Sequence, residues 1–177
     1  MIKKLINPLT DNYKEFKNFV ISDDMPWFWW ETSTPGLLEV DEYHNFGFYS
    51  HAFLVRPNEG GNFFSRPNSQ FLNSAQQIFM EIASANSMNV NVIYRMNANC
   101  VMPTQEQKFS IPHYDHNFPH KNCLIYLTNT GGNLRLFEGN KIIEHNPYED
   151  DVIVFGGKHC LKPPKNGRRI SIVVTFS

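Results

Sequence analysis

The segment IPHYDHNFPH, residues 111–120, places three histidines and an aspartate within ten positions. In an extended chain alternate side chains share a face, so His113 and Asp115 point one way while Tyr114 and His116 point the other. A His-x-Asp pair on one face supplies two ligands to a single metal ion. We therefore expect a metal site whose third ligand comes from elsewhere in the chain.

Three histidines further along the chain are candidates for the third ligand: His120, His145 and His159. The sequence favours His159, because it follows the buried-looking run VIVF, where a rigid position is available. His145 stands in IIEHNPYEDD, which is typical of an exposed turn. Two imidazoles and one carboxylate suit a non-haem Fe(II) with open positions for other ligands.

Two other interpretations of these histidines remain open. His113, His116 and His120 have a spacing that would suit zinc on a helix, although Pro112 and Pro119 disfavour a helix there. Alternatively, the His-x-Asp pair lies on the surface without a metal, and the later histidine belongs to the core.

A charged position ten residues after His159 indicates a second binding function. Arg169 and Ser171 share one face of the run RRISIVVTFS, whose other residues are mostly branched and apolar. A guanidinium group grips a carboxylate through two parallel hydrogen bonds. We expect Arg169 to hold the far carboxylate of a co-substrate that chelates the metal. A strand register shifted by one residue would give this position to Arg168.

The elements that would position these residues are mainly short strands. Beyond residue 90, strand-like runs alternate with turn sequences such as NTGGN and NPYEDD. With the segments around the metal-site histidines they make about eight strands, which is typical of a jelly roll or related sandwich. We expect one domain over residues 1–177, mainly β with flanking helices: residues 1–89 form a helical and β support, and residues 90–177 form the β core.

Two helices are expected in the support. Thr10 is a candidate cap for a short helix, whose apolar face would be Tyr13, Phe16, Phe19 and Val20. A second helix is expected over residues 67–86, with Pro67 in its first turn and apolar residues at helical spacing. Residues 46–55 predict a strand, and residues 56–68, dense in Gly, Pro and Asn, predict a loop.

The tryptophan-rich segment PWFWW, residues 26–30, alternates less regularly than a strand. We expect it to anchor a small second core. An aromatic substrate wall or a dimer patch is the alternative for these side chains.

Composition narrows the class of protein. The chain has 177 residues, 41% of them hydrophobic and 19% charged, as in an ordinary folded domain. A net charge of −1 gives no basic field for nucleic acid or anionic membranes. Three cysteines without a CxxC pair favour a reducing compartment. Neither a signal peptide nor a membrane span is apparent in the sequence, so we expect a cytoplasmic protein.

The motifs resemble those of the Fe(II)/2-oxoglutarate-dependent dioxygenases. That family's pattern of His-x-Asp, a long gap, His, and Arg about ten residues on matches His113, Asp115, His159 and Arg169. The segment HCLKPPKNGRRISIVV is similar to the family's H-x-x-x-P…G-x-R-x-S ending. NCLIYLTNTGGNLRLF is similar to a hairpin of prolyl hydroxylases. The layout resembles small stand-alone members from bacteria and phages, which would place the protein in the cytoplasm of a bacterium or a phage-infected host.

The resemblance implies a double-stranded β-helix and a reaction in which 2-oxoglutarate and molecular oxygen yield succinate, carbon dioxide and an oxidised substrate. It implies that the two histidines and the aspartate hold iron as the catalytic centre. Arg169 would pair with the distal carboxylate of 2-oxoglutarate. Tyr126 matches a hairpin tyrosine that hydrogen-bonds the same carboxylate, and Ser171 would add a further bond.

The region upstream of His113 departs from the prolyl hydroxylases, which carry a Y-x-x-G turn shortly before His-x-Asp. Here a longer loop without that glycine intervenes. We expect Asn99 to contact 2-oxoglutarate, with Asn97 and Tyr94 as alternatives. The polar loop over residues 102–112 is expected to close as a lid over the site.

The expected function is hydroxylation of an organic substrate, with a peptidyl prolyl residue first and a small molecule second. Nucleic-acid demethylation ranks third, because no basic stripe is present. Two alternatives share the fold without the chemistry: a cupin-type metal protein that does not use 2-oxoglutarate, and a jelly-roll binding protein. A buried carboxylate clamp at Arg169 separates the cupin-type protein from the dioxygenase, whereas a missing or substituted ligand would indicate the binding protein.

Overall fold

The computed structural model describes residues 1–34, 36, 42–57 and 64–177. The centre of the expected loop, residues 58–63, lies outside the described residues. The helices are α1 (Asp11–Ile21) and α2 (Leu72–Ala85). The strands are β1 (Lys3–Leu5), β2 (Phe28–Trp30), β3 (Tyr43–His44), β4 (Phe48–Val55), β5 (Arg66–Pro67), β6 (Ile93–Val101), β7 (Phe109–Ser110), β8 (Lys121–Tyr126), β9 (Leu134–Glu138), β10 (Lys141–His145), β11 (Val152–Phe155), β12 (His159–Leu161) and β13 (Arg169–Phe176).

Two sheets form the body of the molecule. The larger has the strand order β1-β11-β8-β13-β6-β4-β2, with β5 paired to β4, and the smaller has the order β10-β9-β12. Residues from the inner faces of both sheets form one apolar cluster, Tyr126, Leu134, Leu136, Ile153 and Phe155. The two sheets therefore pack face to face, as the strand-rich sequence predicted.

Strand β13 lies in the middle of the large sheet. Its successive side chains alternate between the two faces of the sheet. Ile170, Ile172 and Val174 belong to the core that includes the helices. The alternate residues point to the small sheet, so Arg169 shares its face with Ser171. Arg168 instead donates from Nη2 to the carbonyl oxygen of Ile21 at the end of α1, at 2.7 Å. The strand register thus has Arg169, not Arg168, on the inner face.

Helix α1 begins where the sequence predicted. The hydroxyl of Thr10 accepts a hydrogen bond from the backbone N–H of Tyr13 at 3.2 Å, as an N-cap does. Tyr13, Phe16 and Val20 are buried on one face. This helix and α2 cover the outer face of the large sheet.

Helix α2 begins at Leu72, so the expected start near Pro67 is wrong. Pro67 lies in β5, paired with Leu54 at the edge of the large sheet. An edge strand accommodates proline because the missing N–H is not required for pairing. The expected apolar face is correct, since Ala75, Ile78, Phe79 and Ile82 are buried.

The tryptophan segment also differs from expectation. Residues 28–30 form β2, an edge strand paired with β4. Trp29 and Trp30 are 55% and 54% exposed, so they do not build a second core. Trp27 is partly buried against the helix-side core. No helix among the described residues is both long and apolar enough to span a membrane.

Candidate metal and co-substrate site

The fold brings together the three side chains that the sequence selected as metal ligands. One ligand atom each from His113, Asp115 and His159 lies within 4.8 Å of the others. The two histidines face each other in an antiparallel bridge, in which each backbone N–H donates to the other's carbonyl oxygen at 2.9 Å. The segment around His113 forms this single bridge, not a regular strand. The small sheet therefore holds both imidazoles at its end.

Backbone carbonyls fix the orientation of both imidazoles. Nδ1 of His113 lies 2.9 Å from the carbonyl oxygen of Ile111, and Nδ1 of His159 lies 3.1 Å from that of Gly157. A carbonyl oxygen only accepts, so each Nδ1 donates, and Nε2 is the atom that a neutral ring offers to a metal. Burial lowers the pKa of His159, although the charge of Asp115 opposes this shift. A neutral imidazole is the form that binds a metal.

Asp115 is buried and held by a cation. Nη1 of Arg95 donates to Oδ1 of Asp115 at 2.8 Å, and Oδ2 lies 3.5 Å from Nε2 of His159. Burial alone would raise the pKa of this carboxyl, but Arg95 and the two histidines outweigh burial and bring the pKa below its usual range. Burial lowers the pKa of Arg95 to about 10, so the guanidinium stays charged at neutral pH. The carboxylate is therefore ionised and ready to bind a cation.

The alternative zinc site at His113, His116 and His120 does not form. Nε2 of His116 bonds to the hydroxyl of Thr175 at 2.8 Å, and burial lowers the pKa of His116 to about 4. Nδ1 of His120 donates to the carbonyl oxygen of Phe118 at 2.7 Å. Within the described part of the chain, the metal-binding group comprises His113, Asp115 and His159.

The expectation that His145 lies in an exposed turn is wrong. It is the last residue of β10, pairs with Leu134 of β9 and is 7% exposed. Its ring packs against Tyr126, and Nε2 lies 3.4 Å from a carboxylate oxygen of Asp151. His145 is not part of the group of possible metal ligands.

A cavity of about 650 Å³ between the two sheets contains the metal group. A volume of this size lies within the range of small-molecule sites in proteins. Its inner wall includes Asn97, Asn99 and Asn122 from the large sheet, and its other wall includes Leu134 and Leu161 from the small sheet. The lining is mostly apolar, and the three asparagines are polar groups within it.

Arg169, Ser171 and Tyr126 are not among the residues that line this cavity, although Asn99, which pairs with Ser171, is. Ser171 is paired with both Asn99 and Tyr126, so these three side chains share one row of the inner face. The guanidinium of Arg169 is buried, and Nη1 donates to the carbonyl oxygens of Gly132 and Lys162 at 2.9 and 3.0 Å. Its Nε has no hydrogen-bond partner among the described residues. Burial lowers the pKa of Arg169 and raises the pKa of Tyr126.

The three candidates upstream of His113 lie on β6, with Asn97 and Asn99 on one face of the strand and Tyr94 on the other. Asn99 lines the cavity, and its Oδ1 accepts hydrogen bonds from the hydroxyl of Ser50, at 2.9 Å, and from Asn97. Asn97 also lines the cavity. The hydroxyl of Tyr94 instead bonds to Ser177 at 2.9 Å, outside the cavity lining. This excludes Tyr94 and leaves Asn97 and Asn99 as candidates.

Sequence reasoning missed Asn122, which is fully buried in the cavity wall. It pairs with Thr175 and with Phe155, and neither its amide nitrogen nor its amide oxygen has a partner among the described residues. A buried amide left unpaired costs about 1–3 kcal/mol, so such groups usually face a polar ligand or water. The one available signal was a polar residue in the run NCLIY at an inward-facing position.

The expected lid is anchored at one end. Residues 102–108 are mostly exposed, whereas Phe109 packs under the guanidinium of Arg135 at 3.7 Å. The hydroxyl of Ser110 accepts a hydrogen bond from the N–H of Leu161 at 3.0 Å. Of residues 102–112, Ser110 alone lines the cavity. Closure of this loop stays a prediction.

The donor set and the buried polar atoms fit the group that the resemblance implies. Two imidazoles and a carboxylate leave positions open on Fe(II). The unpartnered Nε of Arg169 and the amide of Asn122 are buried donors available to an oxygen-rich ligand. The apolar side chains of the cavity lining suit the carbon chain of such a ligand.

A substitution at Gly132 tests the expected contact between Arg169 and the distal carboxylate of 2-oxoglutarate without changing a metal ligand. A Cβ at Gly132 would lie 2.9 Å from Nη1 of Arg169 and 2.6 Å from the carbonyl oxygen of Lys162, so this guanidinium must move. We expect Gly132→Ala to weaken 2-oxoglutarate binding about tenfold while Fe(II) affinity stays the same. Gly131→Ala is the matched control, because both glycines have positive φ but a Cβ at Gly131 meets nothing within 4 Å. Equal 2-oxoglutarate affinity in the two variants, measured by calorimetry, would contradict this expectation.

Comparison with known proteins gives the fold. No family model and no curated protein sequence matches the chain. An oxidoreductase of the 2OG-Fe(II) oxygenase family from Burkholderia pseudomallei matches with a TM-score of 0.69 at 13% identity, over 99% of this chain and 84% of that chain. A prolyl hydroxylase from Trichoplax adhaerens, in complex with a hypoxia inducible factor peptide fragment, matches with a TM-score of 0.56 at 13% identity, over 99% and 82%.

A third solved structure is the non-heme alpha ketoglutarate dependent epimerase SnoN from nogalamycin biosynthesis. It matches with a TM-score of 0.60 at 8% identity, over 99% of this chain and 77% of that chain. At such identities the similarity establishes a shared fold. The chain therefore has the double-stranded β-helix of these oxygenases with flanking helices, and the predicted fold class is confirmed.

Proposed function

We propose that this protein is an Fe(II)- and 2-oxoglutarate-dependent dioxygenase that hydroxylates an organic substrate. The observation that carries the proposal is the convergence of His113, Asp115 and His159 inside the cavity of this fold. Each side chain presents one ligand atom to a common point.

In this proposal the three side chains hold the iron, and Arg95 supports them through its hydrogen bond to Asp115. Arg95 occupies Oδ1 of Asp115, which leaves Oδ2, on the side of His159, for the metal. Carbonyl oxygens bonded to the two Nδ1 atoms hold the rings in place. Such supporting contacts orient ligands and raise metal affinity.

Arg169 pairs with the distal carboxylate of 2-oxoglutarate, and Tyr126 and Ser171 support that end. The guanidinium lies at the opposite end of β13 from Thr175, whose neighbour Arg95 contacts the metal aspartate. A diacid in the cavity would thus have one end at the metal and the other toward Arg169. Asn99, in the same row as Ser171, contacts the co-substrate from the cavity wall.

Bound iron and 2-oxoglutarate supply the oxidising power for hydroxylation with molecular oxygen, forming succinate and carbon dioxide. The residues of the chain bind and orient the co-substrate and substrate and shield them from water. Leu134 and Leu161 exclude water from one side of the cavity, and the asparagines present hydrogen-bonding groups from the other. This arrangement favours reaction with a bound substrate over side reactions with solvent.

A peptidyl prolyl residue remains the first substrate class. It is supported by the hairpin motif and by the similarity in fold to a prolyl hydroxylase in complex with a peptide. A small molecule is the second, supported by the similarity to an epimerase of nogalamycin biosynthesis. A cupin-type protein without 2-oxoglutarate would have no need of a buried guanidinium at Arg169.

An anaerobic titration of the purified protein with Fe(II) and then 2-oxoglutarate tests the proposal. A weak visible charge-transfer band is expected, because the co-substrate chelates an iron that keeps open positions. Iron that binds without producing the band on addition of 2-oxoglutarate would favour the cupin-type alternative. No iron binding at all would favour the binding-protein alternative.

A further inference from the structure

Two arginines, which sequence reasoning did not select, lie beside the metal aspartate. Arg95 bonds to the carboxylate of Asp115, and Nη1 of Arg56 donates to the backbone carbonyl oxygen of the same residue at 2.8 Å. Both arginines line the cavity. Arg56 comes directly after β4 and is exposed, so it lines the cavity and is also accessible to solvent. Its bond to Asp115 fixes the guanidinium next to the metal group.

Arg56 has no carboxylate of its own among the described residues that line the cavity. Among the described residues that line it, Asp115 is the sole carboxylate, and this group is already shared by Arg95 and the metal. A guanidinium has five N–H donors, and one of those of Arg56 is used by the carbonyl oxygen. The remaining donors form a fork suited to a carboxylate.

This cationic group is separate from the one assigned to the co-substrate. Arg169 is paired with Val101, whereas Arg95 is paired with Thr175, six residues further along β13. Arg95 and Arg169 therefore lie toward opposite ends of this strand pair. Since the distal carboxylate of 2-oxoglutarate is assigned to Arg169, the cation at Arg56 is left for a different anion.

The cavity wall around Arg56 suits an apolar ligand body. Leu54 and Val55 precede Arg56 on β4, and Trp30, Phe46 and Phe48 line the same side of the cavity. Trp30 is half exposed on the edge strand β2. A molecule that extends along this wall would have its charged end at Arg56, close to the metal.

We propose that Arg56 binds a carboxylate of the substrate, so that the enzyme acts on an apolar molecule with a carboxylate near the oxidised carbon. This rests on the dioxygenase function proposed above. The carboxylate belongs either to a free acid or to an acidic residue of a peptide. Arg56 thereby sets substrate specificity by orienting the ligand, while the metal group performs the oxidation.

Matched ligand pairs test this proposal by calorimetry on the anaerobic protein loaded with Fe(II) and 2-oxoglutarate. The first pair is 3-phenylpropionate and 3-phenylpropionamide, and the second is the blocked peptide acetyl-Leu-Pro-Asp-amide and its Asn counterpart. We expect one of the two carboxylates to bind at least about tenfold more tightly than its amide, since hydrogen bonds to charged groups are the stronger ones. The pair that shows the difference identifies the source. Equal affinity within both pairs, or no binding of either carboxylate, would overturn the proposal.

Variants separate a binding role of Arg56 from a structural one. Arg56→Gln should abolish the preference for the carboxylate, and Arg56→Lys should restore part of it. Arg66→Gln is the matched control, because Arg66 is an exposed cation on β5 that does not line the cavity. An Arg56→Gln variant that keeps the carboxylate preference would contradict the proposal. So would one that instead loses affinity for Fe(II) or 2-oxoglutarate, because that result indicates support of Asp115.

The same titrations on the metal-free protein distinguish failure of this inference from failure of the dioxygenase function. If a carboxylate binds in a way that depends on Arg56 but the protein gives no charge-transfer band, the anion site is supported and the dioxygenase function is refuted. If the band forms but neither carboxylate is preferred over its amide, the dioxygenase function is supported and the anion site is refuted.

Discussion

Replacing His159 with glutamine is expected to lower the affinity for Fe(II) by more than about a hundredfold and to remove the charge-transfer band with 2-oxoglutarate. Loss of outer contacts alone costs metal sites about 10-fold to 100-fold, and His159 supplies one of three donor atoms itself. The side chain is buried and its ring orientation is fixed by Gly157, so no neighbouring donor replaces it. Iron content and the visible spectrum of the anaerobic protein measure the effect.

His145→Gln is the matched control for this substitution. His145 is about as buried as His159 and also lies in the small sheet, but it does not line the cavity. We expect it to lower the free energy of unfolding and to leave iron binding unchanged. If both variants lost iron equally, the effect would be one of stability, and the assignment of His159 as a ligand would fail.

Replacing Arg169 with glutamine is expected to weaken 2-oxoglutarate binding by about a hundredfold while Fe(II) still binds. A buried guanidinium that holds a carboxylate contributes a charge-assisted pair, and removal of one partner leaves the other charge buried without compensation. Titration of the visible band with 2-oxoglutarate at saturating iron measures this directly. Pyruvate, which has a metal-chelating keto acid but no distal carboxylate, should bind wild type and variant alike.

Arg168→Gln controls for the loss of charge on β13. Its guanidinium bonds to Ile21 on the helix side of the sheet, so the variant should keep wild-type affinity for 2-oxoglutarate. Because Arg169 also bonds to the carbonyl oxygens of Gly132 and Lys162, thermal unfolding must accompany the titration. A variant that is folded and binds 2-oxoglutarate normally would refute the clamp.

Local patterns in the sequence accounted for the strands and for the choice of metal-site residues. Alternation along an extended chain places residues two apart on one face, which selected the pair His113 and Asp115 and separated Arg169 from Arg168. Turn sequences bounded the strands of the core to within a few residues. The cap at Thr10 and the apolar faces of both helices follow from equally local rules.

Other local predictions failed where a distant partner decides the outcome. Pro67 joins an edge strand because β4 is available for pairing, and Trp30 is half exposed because β2 is the last strand of its sheet. His145 is buried because β10 extends one residue further along β9. In each case the sequence near the residue is compatible with both the expected and the observed structure, and the order of the strands in the sheet determines which one forms.

The sequence by itself determined a β-sandwich and a set of two histidines, one aspartate and one arginine of suitable spacing, since these depend on periodicities of two or 3.6 residues. The tertiary structure alone decided what surrounds them. Arg56 and Arg95 are 59 and 20 residues from Asp115 along the chain, and Asn122 becomes part of the cavity only through its place in the sheet. Contacts at such separations depend on how the strands are ordered and packed, which no local pattern specifies.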